Sequence, residues 1–134
     1  MNKIQDTILI CPPAISQAAA MGALQRGASY CRGFLEGLAR VRALVLEQFA
    51  ALHGLCAVPR PDGAFYCLVR VHTAMDAMTL AARLVREHRV AVIPGTAFGL
   101  TDGCSLRVSY GALEASTVAE GMSRLVRGVT EIVR

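Results

Sequence analysis

Arg107 is the residue whose type and position most suggest chemistry. It stands between the small polar residues Ser105 and Ser109 in an alternating run from Cys104 to Tyr110, just after a loop containing Gly95, Gly99 and Gly103. A guanidinium carried mid-strand beside an open loop presents a planar fork of donors, suited to two-point binding of a carboxylate or phosphate. The same position equally suits a strand arginine paired with a nearby Asp or Glu, or one that is simply solvated. Other reactive side chains are less organised. The five cysteines (Cys11, Cys31, Cys56, Cys67, Cys104) are odd in number and show no C-x-x-C spacing. They read as reduced thiols acting as small apolar residues rather than as a disulfide framework or a zinc ribbon. His53 with Cys56 and Cys67 with His72 have a hint of metal spacing but lack the further ligands of a closed tetrahedral site. His53, His72 and His88 each fall near the end of an element, and helix C-termini favour positive side chains, which gives His53 and His88 a structural reason to be there. The three loop glycines do not lead from a strand into a helix, as a nucleotide fingerprint would require.

Composition narrows what these residues can serve. At 134 residues the chain is one domain or part of one. With 54% hydrophobic and 18% charged residues and a mean hydropathy of +0.44, it has too much to bury to stay disordered. The net charge of +4 is mild, the arginines are interleaved with glutamates, and there is no tryptophan and only 5% aromatics, which argues against nucleic acid as a partner. Thirteen of the fourteen basic residues are arginine, and the only lysine is Lys3. No charge falls between Asp6 and Arg26, yet Asp6 occupies the place of a basic leader region, Pro12-Pro13 breaks the apolar run, and Ser16 and Gln17 interrupt the stretch beyond it. The segment is therefore neither a signal peptide nor a membrane span, and a soluble, cytoplasmic protein with no membrane partner is expected.

The elements that must position Arg107 follow from periodicity. Pro12-Pro13 opens an apolar helix over Ala14 to Gln25, closed by Gly27; a helix apolar all round is normally buried on several sides, which a chain this small does not readily supply, so a cover from outside it is expected. From Tyr30 to His53, Phe34, Leu38, Val41, Val45, Phe49 and Leu52 keep to one helix face, over a length greater than a compact domain of this size needs. Pro59 to Gly63 reverses the chain. Phe65, Cys67, Val69 and Val71 then alternate with Tyr66, Leu68, Arg70 and His72, the period of a strand with one buried face. Thr73 to Asp76 reads as a capping box for a helix that turns Met78, Ala81, Leu84 and Val85 inward. A short buried strand, Val90 to Ile93, precedes Pro94-Gly95. After the strand Cys104 to Tyr110, a last helix from about Leu113 carries Val118, Met122, Leu125, Val129 and Ile132 on one face. Strands and helices in this order form an α+β fold, an α/β sandwich with helices packed on a small mixed sheet.

Four strings in register carry a resemblance. Residues 3–17 (KIQDTILICPPAISQ), 61–66 (PDGAFY), 90–99 (VAVIPGTAFG) and 106–111 (LRVSYG) resemble the C-terminal part of a class I/II aminotransferase, the fold type I, pyridoxal-phosphate-dependent family that includes aspartate aminotransferase. The resemblance implies that residues 1–29 end a large cofactor-binding domain and that residues 30–134 are the small C-terminal domain, with the helix 30–53 as the connector. It implies that Arg107 grips the substrate α-carboxylate, and that Pro94, Gly95 and Phe98 shape the pocket without reacting. It further implies amino acid and 2-oxo acid substrates, a homodimer, and pyridoxal phosphate in the full-length parent. The Schiff-base lysine, the aspartate facing the pyridine nitrogen and the phosphate-binding groups of the family all precede the matched part, and the context of Lys3 does not resemble that of the Schiff-base lysine. The chain is thus expected to be roughly the last third of an aminotransferase, starting at an internal methionine, inert alone and without its own cofactor. The competing expectation is a free-standing α+β regulatory or oligomerisation module in which Arg107 binds an acidic effector.

Overall fold

The structure, a computed structural model, describes residues 8, 10–111 and 114–134. The chain divides into two compact units, residues 1–36 and 37–134. In the first unit, helix α1 (Ala14–Arg26) starts after Pro13, whose φ of −56° suits a helix entrance. It ends at Gly27, which adopts φ 68° and donates its N–H to the Ala23 carbonyl. No residue of α1 is buried, and Ile15, Met21, Leu24, Tyr30, Phe34 and Leu35 are exposed. The chain does not itself cover this apolar helix, and the core is assembled elsewhere, from residues 45 to 129.

Helix α2 (Ser29–Ala50) follows the stripe read from sequence, with Val45 and Phe49 buried, as is Leu52 just beyond its end. It stops at Ala50 rather than His53, and the chain turns through Gly54 at φ 85°. The strands are β1 (Cys56–Ala57), β2 (Tyr66–Val71), β3 (Ile93–Pro94) and β4 (Cys104–Ser109), in the order β1-β2-β4-β3. All three ladders are antiparallel, where a mixed sheet was expected. The reason is topological: β2 and β3, joined through helix α3 (Ala77–His88), run in the same direction but are not neighbours, because β4 inserts between them. Among the described residues the one parallel contact is an isolated bridge between His53 and Cys56.

Alternation places Cys67, Val69 and Val71 of β2 and Cys104, Leu106 and Val108 of β4 on the buried face. Helices α3 and α4 (Ala115–Val133) pack together. Val118, Met122, Leu125 and Val129 of α4 are buried as their spacing predicts. Leu113, where that helix was expected to begin, lies outside the described residues. At the crossing of α3 and α4, Gly128 admits Leu84 and His88 so closely that a β-carbon there would lie 2.7 Å from Leu84 Cδ2.

Three local readings are corrected. Asp76 caps α3, its carboxylate accepting from the Thr79 N–H at 2.9 Å, whereas Thr73 Oγ1 accepts from the Met75 N–H and forms a local turn before the helix. With that start, Ala77, Leu80, Ala81, Leu84 and His88 face inward, while Met78 and Val85 are exposed. The expected strand Val90 to Ile93 shrinks to Ile93–Pro94, because Arg89 ends α3 in the left-handed conformation (φ 56°) and residues 90–92 are still completing the reversal. The hydrogen bond to Thr79 lowers the Asp76 carboxyl below its ordinary value. A depressed folded-state pKa contributes stability above the unfolded value and loses it as pH falls through the folded one. The Tm deficit of Asp76→Ala is therefore expected at pH 7 and should shrink below about pH 4, which thermal melts over a pH series would measure.

Candidate functional site

The sheet's other face is open. Leu68, Arg70 and Tyr66 of β2 lie opposite Arg107, Ser105 and Ser109 of β4 respectively, and Ile93 of β3 lies opposite Arg107 from the other side. Arg107 thus sits on an interior strand, flanked on both sides by neighbours whose ladder hydrogen bonds fix its backbone. Its guanidinium carbon lies 4.1 Å from the centre of the Tyr66 ring and 5.3 Å from that of Phe98. Both distances fall within the range of cation–π attraction. The Nε atom is buried and makes no hydrogen bond. Among the described residues the ion pairs are Arg83–Glu87, Arg124–Glu120 and His88–Glu131, so no described carboxylate neutralises Arg107. Arg107 is thus held by ring contacts and, among the described residues, has no anionic partner.

The loop expected to shape the pocket is held against β4 by close backbone fit. Pro94 pairs with Leu106, and Gly95, which is buried, opens a short 3₁₀ turn over Gly95–Phe98 that carries Phe98 toward Arg107. A β-carbon on Gly95 would lie 2.8 Å from Ser105 Cβ and 3.0 Å from the Ser105 carbonyl oxygen. Gly95→Ala must therefore push the turn away from β4, and a loss of about 1 to 3 kcal/mol is expected in urea denaturation. Gly99 ends the turn at φ 80°, donating to the carbonyls of Gly95 and Thr96. A cavity of about 390 Å³ lies further along the same face, lined by Leu68, Arg70, Leu100, Asp102 and Ser105 among others, and Arg107 is not part of its wall.

Tyr66 is the neighbour of Arg107 that sequence reasoning missed. Alternation marks it only as an outward-facing strand residue, and its approach to Arg107 depends on the β2–β4 register, in which Tyr66 is diagonal to Arg107. The remaining reactive groups do not join this site. Burial pushes the Cys67 thiol up to about 11, and burial together with nearby Cys104 raises Cys56 to about 11 as well, which suppresses the thiolate. Cys56 and Cys104 flank Val71 from opposite sides, two strand spacings or about 10 Å apart, too far for a disulfide. His72 Nδ1 is 3.0 Å from the Gly54 carbonyl, and His88 is buried 3.8 Å from Glu131. Among the described residues no three His, Cys, Asp or Glu side chains cluster as metal ligands, and no helix is long and apolar enough to cross a membrane.

The donor set can also be weighed against pyridoxal phosphate. The described residues include no lysine amine to bond its aldehyde, since Lys3 lies outside them, and the open face presents a guanidinium between aromatic rings. These groups fit a carboxylate and do not fit the cofactor.

The family described as aminotransferase class I and II matches residues 1–125. The chain is 33% identical to an aromatic aminotransferase, ISS1, of Arabidopsis thaliana over 98% of its own length and 33% of that protein. It is 34% identical to an aspartate aminotransferase of Rhizobium meliloti (strain 1021) over 93% of its length and 32% of that protein. Among solved structures, the aromatic aminotransferase from Pyrococcus horikoshii OT3 superposes with a TM-score of 0.76 at 31% identity, covering 96% of this chain and 35% of that one. The chain therefore spans about a third of the length of the curated relatives it matches. With a family match over nearly all its residues, the chain belongs to the class I and II aminotransferases.

Proposed function

We propose that this chain is the substrate-binding small-domain portion of an enzyme that transfers an amino group between an amino acid and a 2-oxo acid on pyridoxal phosphate, and that it is inert alone. The observation that carries this reading is Arg107, held against Tyr66 and Phe98 with no described carboxylate partner. In the reaction its Nη groups donate two parallel hydrogen bonds to the substrate's carboxylate oxygens. That two-point contact fixes rotation about the bond to Cα and directs the bond to be broken, an orientational contribution rather than a proton transfer. Gly95 and the 3₁₀ turn place Phe98, while Pro94 ties the turn to β4.

Two features support inertness. Arg107 lies on an open face where water competes for its donors, and charged hydrogen bonds gain strength only where water is excluded. The lysine needed to hold the cofactor and move a proton at Cα is assigned to a large domain preceding this segment in a full-length parent. Assaying the purified chain with pyridoxal phosphate, amino acids and 2-oxo acids is expected to give no turnover.

A further inference from the structure

Resting on that reading, we infer that Tyr66 is a positioning residue: its ring fixes the plane of the Arg107 guanidinium and thereby sets the direction of the carboxylate-binding fork. An arginine side chain carries four rotatable bonds and loses considerable rotamer freedom when immobilised. Such immobilisation is usually achieved by hydrogen bonds to the guanidinium, but here Nε is buried without one. The contact that does locate the group is the Tyr66 ring, 4.1 Å from Cζ, with Phe98 more distant at 5.3 Å. The backbone that carries the ring is well anchored. Its strand pairs with β4 over six consecutive positions, Tyr66 stands opposite Ser109, and the adjacent Phe65 ring meets it edge-on at 5.8 Å between centroids.

The approach of Phe65 is secured in turn by Gly111, where a β-carbon would lie 2.3 Å from Phe65 Cβ, and by the Tyr110 N–H, which donates to the Phe65 carbonyl at 2.9 Å. The path from backbone to guanidinium thus runs through packing. Because an aromatic face holds a cation without consuming its N–H donors, the Nη pair stays available for a ligand. A carboxylate partner in the same place would have neutralised the charge the substrate needs.

The test uses the 134-residue chain and pyruvate as the probe. The Arg107 side-chain Nε–H signal is followed by nuclear magnetic resonance in the wild type, Tyr66→Leu, Tyr66→Phe, Phe98→Leu and Arg107→Ala. The expected result is a ring-current-shifted Arg107 signal in the wild type that is retained in Tyr66→Phe and lost in Tyr66→Leu. The Kd for pyruvate should rise about 3- to 30-fold in Tyr66→Leu, and Tyr66→Phe, which keeps the aromatic face, should restore it. Phe98→Leu should have the smaller effect, and it remains informative if Tyr66→Leu does not fold, because a Phe98 effect as large as that of losing Arg107 would overturn the ranking. Wild-type-like pyruvate affinity in folded Tyr66→Leu, with affinity lost in Arg107→Ala, would overturn the positioning role alone. Pyruvate binding that Arg107→Ala leaves unchanged would overturn the functional reading on which it rests, and where pyruvate binds too weakly to measure, a ring-current shift of the Arg107 signal retained in Tyr66→Leu would overturn the positioning role.

Discussion

Replacing Arg107 with alanine in a full-length parent is expected to lower kcat/KM for amino-acid substrates by about 30-fold to several thousand-fold. The range follows from about 2 to 5 kcal/mol commonly lost when one partner of a desolvated, hydrogen-bonded charge pair is truncated. Loss should be spread over KM and kcat, because the fork both binds the carboxylate and orients Cα. Arg107→Lys should recover only part of the loss, since an ammonium keeps the charge but cannot offer two parallel donors to two oxygens. Cofactor affinity, measured by absorption titration with pyridoxal phosphate, should be nearly unchanged in both variants, because no described residue around Arg107 suits the cofactor. Wild-type kcat/KM in Arg107→Ala with normal cofactor affinity would make Arg107 a structural arginine.

The second large effect concerns the platform beneath the site. Leu84 is fully buried (0% exposed) on α3 and meets α4 at Gly128, whose missing side chain lets the two helices approach. Leu84→Ala removes this contact and leaves a cavity that a close helix crossing cannot readily close. A loss of about 2 to 5 kcal/mol is expected, a large part of the roughly 5 to 15 kcal/mol that typically holds a domain folded. Urea denaturation monitored by circular dichroism would measure it as a lower midpoint at constant slope.

What the sequence revealed, and what it hid, divides along physical lines. Local periodicity located the helices and the two long strands: Val45, Phe49 and Leu52 hold one face, and Val118, Met122, Leu125 and Val129 another. Arg107 stood out because a charged residue in an alternating strand must face away from the core. Its surroundings were not readable in the same way. The contact with Tyr66 depends on a register between strands separated by a helix and a loop, and nothing local to residues 61–66 specifies it.

Other misreadings came from competing local signals. Thr73 and Asp76 both suit a helix start, and the face that packs is the one carrying Leu80 and Leu84, which leaves Met78 and Val85 exposed. Val90 to Ile93 looks like a strand by composition, but Arg89 at φ 56° delays pairing until Ile93. Helix α1 is a different case: its apolar composition calls for a cover that a chain this small was not expected to supply, and no residue of it is buried. Composition reports what a segment requires and says nothing about whether the same chain supplies it.

The most direct measurement compares amino-group transfer by the 134-residue chain with transfer by a full-length parent, both saturated with pyridoxal phosphate and followed by 2-oxo acid formation. No turnover by the chain, with Arg107-dependent turnover by the parent, is the expected result. Turnover by the chain alone that is abolished by Lys3→Ala would contradict it, because the only lysine of the sequence would then be performing the chemistry here assigned to a preceding domain.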